Sequence, residues 1–126
     1  MKENELILST LGKTWIFDLD GTLVKHNGYL NDGRDTLLDG VKEFFNSLPD
    51  KDTILILTAR KKEFRDQTEE FLISNEIRFD HIIYDLPHGE RMLINDMKPS
   101  GLRTALSINL ERDSPFTIMF REDTGL

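Results

Sequence analysis

Apolar and polar positions follow two rhythms along this chain, and the switches between them predict strands and helices in turn. Trp15-Ile16-Phe17 is a continuous apolar run cut off by Asp18, Asp20 and Gly21. A run this short and bulky, closed by turn residues, reads as a strand buried on both faces of a parallel sheet. The stretches 53–57, 79–84, 92–96 and 104–110 repeat the pattern and predict four more strands. Between the first two runs the period becomes helical. Val41, Phe44, Phe45 and Leu48 stand at i, i+3, i+4 and i+7 and predict a helix over residues 37–48. Asp39 is placed to cap that helix and Pro49 blocks its continuation. Residues 61–74 predict a second helix, with Phe64, Thr68, Phe71 and Leu72 on one stripe and Glu63, Asp66, Glu69 and Glu70 mostly off it. Ile7 and Leu11 predict a short added helix within residues 1–12, ended by Gly12. Asn27-Gly28 is a strong hairpin signal, since a type I′ turn needs positive φ at both central residues. Asp32-Gly33 is a second turn signal. Residues 111–126 form a C-terminal tail whose apolar stretch 116–120 fits a strand, a helical turn or an interface.

Strands alternating with helices predict an α/β fold: a doubly wound, mainly parallel sheet of five strands in three layers. At 126 residues the chain forms one domain with room for a real core. No apolar run is long enough to span a membrane, and the first residues lack the pattern of a signal peptide. The chain has no cysteine, which removes disulfides and thiolate metal sites and suits the cytoplasm. Its net charge of −7, from 23 acidic and 16 basic residues, gives no electrostatic footprint for nucleic acid.

The chemistry concentrates where strands end. Asp18 and Asp20 follow the first strand, at the sheet edge where open α/β folds bind ligands. Two carboxylates so close are costly unless a cation lies between them, and Mg²⁺ suits oxygen ligands. Thr58 closes the second strand, 40 residues after Asp18, and Arg60 follows it with a guanidinium that forks onto phosphate oxygens. Asp96 closes the fourth strand, 38 residues after Thr58. His26, Asn27 and Tyr29 lie in the expected flap and His88 in the loop after the third strand, all four candidates to touch a substrate.

The string Asp18-Leu19-Asp20-Gly21-Thr22-Leu23-Val24 after an apolar strand resembles the first motif of the haloacid dehalogenase superfamily. The strand ending in Thr58 and the strand ending in Asp96 resemble its second and fourth motifs. The resemblance covers residues 14–110 and implies a β-hairpin flap over the site. Only 37 residues separate Asp20 from Thr58, so it also implies a member without a cap domain. It implies a phosphomonoester hydrolase using Mg²⁺ held by Asp18, the backbone carbonyl of Asp20, and Asp96. Asp18 would attack phosphorus to give an aspartyl phosphate, and Asp20 would handle the leaving-group proton. Thr58 would donate to a phosphoryl oxygen.

The family's third motif, a Lys or Arg that neutralises nucleophile and phosphate, has no clear equivalent. Arg91 would open the fourth strand and, at ~3.3 Å per residue, lie roughly 15 Å from the ligand edge. Lys98 stays at that edge and is the expected substitute, with Arg60 and His88 behind it. Asn95 stands where many members have a further acid. The segments 25–29, 86–89 and 94–99 loosely resemble small bacterial members tied to surface polysaccharide biosynthesis, which implies a sugar phosphate or similar small metabolite. An open site of this kind implies shielding by a homo-oligomer. Two other readings stand beside it: a family member that has lost catalysis and serves as a binding or regulatory subunit, and a receiver-like phosphoacceptor domain.

Overall fold

A computed structural model describes residues 5–126. The elements run β1 (Glu5–Leu8), β2 (Thr14–Asp18), α1 (Gly28–Asn31), α2 (Val41–Ser47), β3 (Thr53–Leu57), a 3₁₀ turn (Lys62–Phe64), α3 (Arg65–Ser74), β4 (His81–Ile83) and β5 (Met119–Glu122). The described residues form a small α/β structure with parallel sheets and three α-helices. Among the described residues no helix is long and apolar enough to cross a membrane.

The first three expected central strands form, and they pair in the order β2-β3-β4, all parallel. Each step moves the chain the same way across the sheet. Right-handed crossovers therefore put both connecting helices on one face. Phe44 and Phe45 of α2 and Leu72 of α3 join Phe17, Ile54 and Ile56 in one buried cluster. The ring of Phe17 lies 4.6 Å from that of Phe45, and Phe44 lies 5.5 Å from Trp15. Rings at these separations and tilts contribute about 0.5–1.5 kcal/mol per pair beyond their buried area.

The opposite face carries Ile16, Leu55, Leu57 and Ile83, joined by the register Asp18↔Leu57↔Ile83. Ile16 is 45% and Ile83 48% exposed. A doubly wound sheet would cover them, so the expected doubly wound five-strand layer is corrected to a singly wound sheet of three. Two further strands stand apart from it: β1 and β5 make a separate two-stranded parallel sheet, Glu5↔Met119 to Leu8↔Glu122.

The expected strands at 92–96 and 104–110 do not form, and these residues run as extended irregular chain. Met92 and Ile94 are 80% and 87% exposed, so their apolar character finds nothing to pack against. A strand holds only where a neighbour accepts its backbone bonds. Instead a turn is closed from Gly101 N–H to the Lys98 carbonyl. The expected N-terminal helix is also corrected. Residues 1–4 lie outside the described residues, and Glu5–Leu8 is strand because its partner stands more than a hundred positions downstream.

The expected flap is a wide excursion rather than a tight hairpin. Val24 and Leu37 bridge antiparallel, and Lys25 N–H donates to the Thr36 carbonyl at 2.9 Å. At its tip Asn27 takes the left-handed conformation (φ 54°), but Gly28 opens α1 instead of completing a type I′ turn. The helix predicted over 37–48 shortens to α2, whose N-cap is Gly40 at φ 87°.

Gly40 is held from outside. A Cβ there would stand 2.3 Å from the carbonyl oxygen of Phe116, while Phe116 N–H donates to the Asp39 carbonyl at 2.7 Å. Gly33 has the same left-handed sense (φ 74°) with open space around it. We expect Gly33→Ala to cost only the backbone strain, about 1–2 kcal/mol. Gly40→Ala adds a clash with backbone and should cost well over twice that, as read from urea midpoints. Asp52 gives a second test: its carboxylate accepts from Trp15 Nε1 at 2.9 Å and from Lys13 N–H at 3.0 Å. Asp52→Ala strands both donors and should cost about 2 kcal/mol, whereas Asp50→Ala should stay within about 0.5 kcal/mol.

Candidate functional site

β2 ends at Asp18, and the chain turns at once through Asp20-Gly21-Thr22. Leu23 and Val24 N–H both donate to the Leu19 carbonyl, and Gly21 N–H donates to that of Val24. Gly21 needs its φ of 84° for this turn, and the Arg112 side chain closes over it, with Cγ 3.1 Å from where a Cβ would be. The tail residues thus reach the edge: Asp113 N–H donates to the Gly21 carbonyl, and its carboxylate accepts from His26 N–H at 2.8 Å.

The two aspartates meet different fates. Asp18 remains partly open, its side chain 42% exposed. One oxygen accepts from Thr22 Oγ1 at 3.2 Å and the other from Arg91 Nη1 at 2.9 Å. Asp20 faces inward and is bound bidentately by Arg60, through Nε at 3.0 Å and Nη2 at 2.9 Å. Arg60 is 1% exposed in its side chain. Its remaining donors reach both Asp35 oxygens, at 2.9 and 2.6 Å, and Thr68 Oγ1 at 2.9 Å. A guanidinium has five N–H donors, and all five are used. The Tyr29 ring covers it, with Arg60 Cζ 3.8 Å from the ring centroid, and Phe64 meets the Tyr29 ring edge-on at 5.0 Å. Burial opposes the Arg60 charge, but the hydrogen bonds and charges of Asp35 and Asp20 overcome it and raise its pKa above the ordinary value. Burial, with the charge of Asp20, likewise raises the Tyr29 phenol.

Arg60, expected to bind phosphate, is therefore spent inside the protein. Tyr29, expected to touch a substrate, presents its ring to Arg60. Asn27 serves as the left-handed residue before α1. His26 is half-buried, and its Nδ1 has no hydrogen-bond partner among the described residues. Thr58 is buried at the end of β3, where its hydroxyl accepts from Arg60 N–H at 3.0 Å. His88 lies exposed in the loop after β4.

Lys98 opens the turn noted above, and the cation that reaches Asp18 is Arg91. The expected exclusion of Arg91 rested on a fourth strand. Without that strand, the irregular chain after Asp85 carries Arg91 back to the edge. Asp35 was missed because nothing local marks it: its partner is 25 residues away, and an Asp near Gly33 looks like turn chemistry.

Asp96 lies in the irregular segment, where it lines a shallow dent with Asn95, Met97, Arg103 and Thr104. Among the described residues no three His, Cys, Asp or Glu side chains cluster to hold a metal. No step is routed through the expected Mg²⁺ of Asp18, Asp20 and Asp96.

The chain matches no family model and no curated protein. Among solved structures it is similar to a chain of the Pnkp1/Rnl/Hen1 complex, with 27% identity and a TM-score of 0.52. The match covers 66% of this chain and 31% of that one, so this chain spans about a third of its neighbour's length. The match overturns the expected haloacid dehalogenase phosphatase, because the similarity runs to a chain of the Pnkp1/Rnl/Hen1 complex. The small-metabolite substrate, the link to polysaccharide biosynthesis, the inactive subunit and the receiver-like domain find no support in it.

Proposed function

We propose that the chain is an RNA-repair-type domain that receives a phosphorylated RNA end at the Asp18 edge of its sheet. The observation that carries this reading is the similarity to a chain of the Pnkp1/Rnl/Hen1 complex, joined to an exposed, exchangeable Arg–Asp pair at the ligand edge. Arg91 is the phosphate ligand. Its bond to Asp18 lies at the surface, with the two side chains 36% and 42% exposed. Ion pairs of that kind contribute only about 0–1 kcal/mol. A terminal phosphate, offering three oxygens to a planar fork, displaces Asp18 at little cost. Arg60, with every donor satisfied in the interior, is not free to do the same. Thr22 keeps Asp18 oriented when Arg91 leaves it.

The net charge of −7 shapes how RNA is held. Broad attraction to the phosphate backbone is absent, so affinity rests on the strand end and the few cations beside it, Arg91 and the Arg112 that covers Gly21. Recognition of an end suits this balance, because it needs one well-placed guanidinium rather than a basic surface. The unpartnered apolar residues of β2 and β4 suit a domain that works inside an assembly, and a cytoplasmic location agrees with the absence of cysteine.

Fluorescence anisotropy with one RNA oligomer carrying a terminal phosphate or a hydroxyl at each end checks this. We expect at least tenfold tighter binding for one phosphorylated end. Arg91→Ala should abolish that preference, and Lys98→Ala should change it less than twofold. With about two phosphates engaged, log K against log salt should fall with a slope no steeper than about −2, given roughly −0.7 per phosphate for single strands. Equal binding of phosphate and hydroxyl ends would reject the assignment.

A further inference from the structure

Asp35 and Tyr29 touch neither Asp18 nor Arg91, yet both close around the group that fixes Asp20. Without Arg60, the turn after β2 would present two carboxylates to an incoming phosphate. Each repels it. Arg60 prevents this by drawing both Asp20 oxygens inward, at 2.9 and 3.0 Å. The guanidinium can hold that plane only if its other edge is anchored. Asp35, 4% exposed in its side chain, supplies the anchor with two bonds, and the Tyr29 ring closes the face. Both anchors come from the excursion spanning residues 24–37, while Thr68 comes from α3. The excursion is thereby fastened to the turn that carries Thr22, which in turn holds Asp18.

We propose that Asp35 and Tyr29 are positioning residues: acting through Arg60, they turn Asp20 away from the Asp18 edge and so make that edge selective for a phosphate-bearing ligand. The proposal rests on the phosphorylated RNA end as the ligand. It also predicts a sign that simple electrostatics reverses. Asp35→Ala removes a negative charge near the site, which by charge alone tightens phosphate binding. If Asp35 positions Arg60, the same change releases Asp20 toward the ligand and weakens it.

The test compares Asp35→Ala, Asp35→Asn, Tyr29→Leu and Tyr29→Phe in the full chain, using RNA oligomers with phosphate or hydroxyl ends. We expect Asp35→Ala to weaken phosphate-ended RNA at least tenfold while hydroxyl-ended RNA changes less than twofold. Asp35→Asn, which keeps one acceptor, should fall between Asp35→Ala and the parent. Tyr29→Leu, with no change of charge, should also weaken the phosphate end, whereas Tyr29→Phe keeps the ring and should behave as the parent. Nitrogen-15 NMR of the Arg60 guanidinium gives a readout independent of RNA. Its Nη protons should be resolved in the parent and in Tyr29→Phe, and should collapse in Asp35→Ala. Tighter phosphate binding by Asp35→Ala, or an Arg60 signal unchanged by it, overturns the proposal. A parent protein indifferent to the terminal phosphate rejects the RNA-end reading instead, and the Arg60 signal then still decides whether Asp35 and Tyr29 hold the guanidinium.

Discussion

One buried guanidinium ties the ligand edge of this protein together. Taking a lone Arg out of water costs several kcal/mol, repaid only if its donors are met with good geometry. Arg60 meets that condition with two carboxylates, a hydroxyl and an aromatic face. Those partners come from the β2 turn, the excursion after it and α3, so one side chain joins three parts of the chain distant in sequence. Removing a single partner leaves a buried charge or donor unmatched, and the cost falls on all three. The contrast with Arg91 is physical, not chemical. The same group beside Asp18 lies at the surface, 36% exposed, with one bond to that carboxylate.

The winding of the sheet explains the surroundings of that edge. Three parallel strands stepping one way place α2 and α3 on one face, where Phe17, Ile54 and Ile56 are buried. Side chains alternate along a strand, so Asp18 shares the other face with Ile16. The open carboxylate and the uncovered apolar row are consequences of one arrangement. Apolar residues of the irregular segment, Met92 and Ile94 among them, are exposed as well. The surface is therefore more apolar than the composition alone suggests.

Much of this was legible in the sequence, and the failures share a cause. Strands β2, β3 and β4 announced themselves because they are short apolar runs bounded by turn residues. Helix α2 announced itself through Phe44, Phe45 and Val41. Asp18, Asp20 and Thr58 fall at strand ends as the pattern requires. What the sequence hid were pairings over long separations. Strand β1 looked helical because Ile7 and Leu11 suit a helix, while its true partner, Phe120 beside Leu6, sends no local signal. Arg91 was placed far from Asp18 by a strand that has no neighbour to pair with. Arg60 was assigned to a ligand because its inner partner, Asp35, could not be seen from its own surroundings. The string around Asp18 suggested a family, but it describes a local strand-turn geometry, and the wider match led to a different kind of protein.

The pairing of β1 with β5 also sets when this protein can fold. Leu8 meets Glu122, Lys13 Nζ meets the Glu122 carboxylate at 2.7 Å, and Asp113 closes the turn at Gly21 and His26. While a ribosome is still adding residues beyond Asp113, the first strand has no partner and the ligand edge has no closure. Contacts this distant impose the full cost of chain ordering before they return anything, so formation is slow and comes late. During synthesis the emerging chain exposes Trp15, Phe17 and the β3 run. The turn that carries Asp18 is therefore closed only once Asp113 has left the ribosome.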